Sequence, residues 1–145
     1  MDYETSFSAA SILAMIGWLI LLVSPLYPTW SDRISGFVIP LILSVGYVAL
    51  LVPSHNNGGG GFGSLADVMT LFSYPEAMLA GWVHFMAFDL FIGAWQCRTA
   101  RRDSISFWLV VPCLVLTVLF GPLGLLAFLA LRAISKRAGL SAVST

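Results

Sequence analysis

The sequence predicts an all-α protein: an integral membrane bundle of four transmembrane helices, the fourth kinked at Gly121-Pro122, with a short amphipathic surface helix before the third. Three observations carry this expectation. Of the 145 residues, 59% are hydrophobic and only 10% are charged, with a mean hydropathy of +0.92. A soluble domain has about 25% charged residues, so this chain has too little polar surface to cover itself in water. Apolar stretches close to or beyond the roughly 20 residues that cross a bilayer core recur along it, and the segments between them hold prolines, glycines and aromatic residues suited to ends and interfaces.

The elements follow in order within a single domain, 1–145. MDYETSFS is acidic and lacks the basic region and small-residue cleavage site of a secretory signal, so the first apolar stretch, about 7–23, is expected to stay as a helix. In SPLYPTWSDR, Pro25 and Pro28 stop that helix, and Tyr27 and Trp30 have the character of interfacial anchors. The second span covers about 34–52. Between 53 and 75 the glycine-rich stretch Asn56 to Gly63 lacks the Gly-Lys-Ser/Thr of a phosphate loop and reads as a flexible linker. Ser64 and Asp67 after it have capping-box spacing. Leu65, Val68, Met69 and Phe72 fall on one helical face, which predicts a surface helix or lid.

The third span runs about 76–97 and the fourth about 105–131. The 27 residues of the fourth would measure roughly 40 Å as straight helix, too long for an upright span. Pro112 and Gly121-Pro122-Leu123-Gly124 therefore predict one kinked, tilted pass. A hairpin return is disfavoured because Leu123 to Leu131 reaches only about 14 Å. With four passes, Arg33, Arg98, Arg101 and Arg102 lie on one side, while Arg132, Lys136 and Arg137 join the N-terminus on the other. The positive-inside rule then narrowly favours an N-terminus outside.

Seven Lys/Arg balance seven Asp/Glu, so no basic patch suggests nucleic acid and no acidic tail suggests a disordered binding segment. Cys97 and Cys113 lack metal-ligand spacing and read as buried thiols. The chemistry concentrates in the third span, AGWVHFMAFDLFIGAW, where His84 and Asp89 each lie within about 5 Å of the middle. Ionisable groups at such depth are costly, so they mark a functional site by default. Five residues of separation turns a helix by about 140°, so the two cannot pair along it. Asp89 shares a face with Trp82, Phe85, Gly93 and Gln96, and His84 with Gly81, Phe88, Phe91 and Trp95. Partners on other helices are few: Ser24, Ser44, Tyr47 and Thr117. A carboxyl group out of water and a histidine can both exchange protons near neutral pH, which suits acid–base work on two parts of one substrate. The bland alternative makes both residues polar contacts that join helices. One carboxylate and one histidine are too few ligands for a metal, and no cofactor is expected. The aromatic wall, Trp82, Phe85 and Phe88 with Gln96 beside it, suits binding of a long conjugated or isoprenoid substrate.

The stretch GGFGSLADVMTLFSYPEAMLAGWVHFMAFDLFIGAWQCR, followed by VVPCLVLTVLFGPLGLLAFLALR, resembles the neoxanthin-synthase-like, abscisic-acid-deficient-type membrane family over about residues 60–132, with a weaker echo at Trp18 and Ser24-Pro25. The resemblance implies a four-helix membrane protein whose plant members are needed to convert violaxanthin to neoxanthin. In that isomerisation an epoxide opens while a proton leaves a neighbouring polyene carbon, giving an allene and a hydroxyl. It needs an acid at the oxygen and a base at the carbon, and Asp89 and His84 are the candidates for those two catalytic roles. The first span begins close to the first residue, with no plastid transit peptide before it, which suggests a bacterial-type member in the inner (plasma) membrane, where the substrate could be another carotenoid or isoprenoid. Three functions are to be told apart: an isoprenoid isomerase; a lipid- or pigment-binding or scaffolding protein; and a small transporter or proton relay, disfavoured because the chain shows no inverted repeat. Membrane lipids and a homo-oligomer that completes a ligand groove are the expected partners.

Overall fold

The computed structural model describes residues 2–54 and 59–143; the first part of the glycine-rich stretch, 56–58, lies outside them. The described residues are helical with no strand. Three helical runs are long and apolar enough to cross a membrane: Tyr3–Leu22, Pro28–Leu51 and Pro75–Arg102.

Helix α1, Tyr3–Leu22, starts several residues before the apolar stretch does. Asp2 holds that end: its carboxylate accepts from the Thr5 hydroxyl, and its carbonyl accepts from the Ser6 hydroxyl at 3.0 Å. Ala14, Gly17, Trp18 and Leu21 form its buried face, the i, i+3, i+4, i+7 stripe of a packed helix. The next run also begins early, because Pro28 occupies its first turn, where a missing N–H costs nothing. It comprises α2 (Pro28–Arg33), a π-helical turn (Ile34–Val38) and α3 (Ile39–Ser54). The buried Ser35 hydroxyl in that turn donates to the Gly17 carbonyl at 2.8 Å, tying the run to α1.

The expected capped helix is present as α4, Leu65–Leu71, where the Ser64 hydroxyl accepts from the Asp67 amide at 3.1 Å. Then comes α5, Pro75–Arg102, about 42 Å long. It is the central post, packed against α1, the π-helical turn, α3, α6 and α7.

The expected single kinked pass does not form. Its residues make two helices, α6 (Phe107–Phe120) and α7 (Pro122–Val143), which fold back on each other at Gly121. Gly121 adopts φ +35°, a backbone that side-chain-bearing residues rarely hold. At Gly124 the two helices touch: a Cβ there would collide with the hydroxyl, amide nitrogen and Cα of Thr117. The open ends meet at Asp103, whose carboxylate accepts from Arg132 Nε at 2.5 Å and lies 3.6 Å from Lys136 Nζ. The helix runs on through Pro112, so the chain reverses at Gly121 alone. Leu123 to Leu131 is indeed too short to cross a bilayer, but a hairpin that enters and returns need not cross; α6, 14 residues, measures about 21 Å against a core of about 30 Å.

Folding back also redistributes charge. Arg132, Lys136 and Arg137 join Arg33, Arg98, Arg101 and Arg102 at the same end, opposite the N-terminus. The expected four-against-three division of cations is replaced by seven on one side. Asp32 and Asp103 are the acids there, and Asp2, Glu4, Asp67 and Glu76 lie towards the other end.

Candidate functional site

Because α5 extends to Arg102, its midpoint falls at Asp89, with His84 about 7 Å nearer the N-terminal end. The two side chains meet different neighbours, as the helical period requires.

His84 lines a cleft of about 970 Å³ between α3 and α5, closed over by α4 and the loop before it. The walls are Tyr47, Val48 and Leu51 from α3, Ala77, Ala80 and Gly81 from α5, and Leu71 and Phe72 at the end of α4. Gly59, Gly60, Gly61 and Phe62 complete it. The Gly61 amide donates to the Asp67 carbonyl at 3.2 Å, which fastens this loop to α4. The His84 ring centroid lies 5.4 Å from that of Tyr47 and 4.6 Å from that of Phe88. The lining is predominantly apolar, with the imidazole and the Tyr47 hydroxyl as its titratable groups, the composition of a site for an apolar ligand with one or two polar atoms.

Asp89 does not line this cleft. It is 7% exposed, and its Oδ2 has no hydrogen-bond partner among the described residues. Its carboxylate rests on the hairpin turn, where a Cβ on Gly121 would stand 2.9 Å from Oδ1. Two turns on along the same face of α5, Gln96 is fully buried, and its Nε2 donates to the Thr117 hydroxyl at 2.9 Å. That hydroxyl donates in turn to the Cys113 carbonyl at 2.8 Å. Gln96 Oε1 has no partner among the described residues. A carboxylate and an amide thus face the hairpin, each with an unmet acceptor, and such acceptors are costly to leave without donors.

The remaining expected site residues divide between packing and the periphery. Trp82 donates through Nε1 to the Ser11 hydroxyl at 3.1 Å and lies against Phe7 and Phe85, so it joins α5 to α1. Phe85 and Phe88 are 38% and 57% exposed and lie on the outer surface of the bundle. Of the expected partners, Tyr47 faces His84, Thr117 bonds Gln96 rather than Asp89, and the Ser44 hydroxyl returns to its own helix at Pro40. The sequence allowed for α4 as a lid but did not reveal the cleft beneath it. Its signal was Gly81, on the His84 face, where a Cβ would meet the Phe72 ring 2.6 Å away.

A family model described as ABA4-like, ABA DEFICIENT 4-like, matches residues 5–128, most of the chain. No curated protein and no solved structure matches it.

Proposed function

The chain belongs to the ABA DEFICIENT 4-like family, and from that premise we propose that it is a neoxanthin-synthase-like membrane protein that isomerises a carotenoid or related isoprenoid by acid–base opening of an epoxide. The observation that carries this reading is the apolar cleft of about 970 Å³ with His84 and Tyr47 on its wall. It offers a long hydrocarbon a bed between helices and brings one proton-exchanging group to it. In this reading His84 works on bound substrate. Asp89 is the second proton-exchanging group, set against the hairpin turn. The clustering of Lys and Arg supports an orientation with the N-terminus outside and the basic end in the cytoplasm of a bacterial cell.

One observation favours a second reading, in which the protein binds or presents the isoprenoid without turning it over: Asp89 lies outside the cleft, so the two candidate groups do not share one cavity. Chromatography with mass spectrometry separates the readings, using cells supplied with a carotenoid pathway and expressing the native chain, His84→Ala or Asp89→Asn. The isomerase reading expects a new isomer of unchanged mass with the native chain and none with either variant. Unchanged pigments in all three strains, with unchanged isoprenoid co-purifying with the native chain, would establish the binding reading instead.

A further inference from the structure

We propose that the basic end carries a seat for the phosphate of an anionic phospholipid headgroup, built on Arg98 in the groove between the π-helical turn and α5. This proposal is independent of the isomerase reading. Arg98 is half-buried. Its guanidinium lies across Gly36, the residue of the π-helical turn that has no side chain to displace it. It stands 5.9 Å from the centroid of the Phe91 ring, a cation–π distance. It is thereby held on two sides.

Among the described residues no carboxylate pairs with it. The two acids at this end are committed: Asp32 to Arg101 at 2.5 Å, and Asp103 to Arg132 and Lys136. A fixed guanidinium without an anion is poised for a bidentate acceptor such as phosphate. Its position favours a lipid over a soluble anion. Arg98 lies one turn inside Arg101 and Arg102 along α5, towards the apolar body of the bundle, and the ring beneath it is itself 48% exposed. Trp30 and Trp108, 64% and 80% exposed, sit at the same end, as aromatic anchors do at headgroup depth. An amphiphile with its phosphate on Arg98 and a chain over Phe91 meets both surfaces.

The test uses the full chain purified in neutral detergent, titrated with phosphatidylglycerol or phosphatidylcholine and read by native mass spectrometry and thermal midpoint. Phosphatidylglycerol should be retained at least about fivefold more strongly than phosphatidylcholine, the effect of one interfacial cation. Arg98→Gln should lose that preference, and Arg102→Gln should keep most of it. Gly36→Ala keeps every charge but displaces the guanidinium, and should lose the preference too. Equal retention of the two lipids by the native chain would show that no anion seat exists, and a preference that survives Arg98→Gln and Gly36→Ala would overturn the seat in favour of diffuse attraction to the basic end. If inorganic phosphate alone reproduced the rise in midpoint, the lipid assignment would fall to a soluble anion.

Discussion

The cleft at His84 and the hairpin turn at Asp89 draw on the same helix five residues apart, yet they are built on opposite plans. The cleft is hollow, apolar and assembled from elements distant in sequence, with an exposed ring at its wall. The turn is closed, and its neighbours Asp89, Gln96 and Thr117 are buried polar residues in a contact that two glycines make possible. An ionisable side chain that faces a cavity is free to act on a ligand and adds little to folding. One packed against the backbone of a reversal is tied to the architecture. Two residues that look equivalent by depth therefore differ in what their loss should cost.

Substitution at the turn has the largest expected effect. Gly124→Val places branched carbons where the Thr117 backbone already lies; the helices must separate, at a cost of more than about 4 kcal/mol, seen as loss of folded protein in detergent. A variant as stable as the native chain would show that the hairpin is not held there. The cleft should behave in the reverse way. His84→Ala is expected to leave stability within about 0.5 kcal/mol while the proposed isoprenoid turnover falls roughly 100-fold; a large drop in thermal midpoint would place His84 with the architecture instead.

Gln96→Leu sharpens the contrast from inside the turn. It removes the bond to Thr117 but also a buried acceptor without a partner among the described residues, and Thr117 keeps its bond to Cys113. The change in unfolding free energy should stay within about 1 kcal/mol, whereas Gln96→Glu should be clearly worse.

The smallest effect is at the open end of the hairpin. The hydrogen bond from Arg132 holds the Asp103 carboxyl below the usual carboxylate range. A carboxyl whose pKa is lowered by folding adds stability above its unfolded value, about 3.9, and loses it as pH falls through the lower folded value. The thermal midpoint of the native chain should therefore fall more steeply below about pH 4 than that of Asp103→Asn. Parallel curves would mean that the pair contributes nothing measurable, as many exposed pairs do.

How legible each region was follows from the same contrast. Helices α1, α3 and α5 announced themselves by apolar length, and the azimuths of His84 and Asp89 by the 3.6-residue period. The α4 cap at Ser64 was plain from its spacing. The reversal was not, because hydropathy along a chain cannot distinguish a kinked pass from a hairpin; Gly121-Pro122 fits both. Complementary charge was the available sign: Asp103 just before α6 and Arg132 on α7 can meet only if the chain returns. The cleft was hidden because α3, the loop and α4 come together only in three dimensions. The π-helical turn leaves no mark in ISGFV that separates it from ordinary helix.

The positions of both candidate groups depend on the chain crossing three times and returning at Gly121, so sidedness is the most direct test. Single cysteines at Arg102 and Arg137, in a chain with Cys97 and Cys113 replaced by alanine, would be labelled in intact cells with a membrane-impermeant maleimide before and after permeabilisation. Both sites should be protected in intact cells and both should react once the membrane is opened. Labelling of one site but not the other in intact cells would place the two ends of α6 and α7 on opposite sides and contradict the return at Gly121.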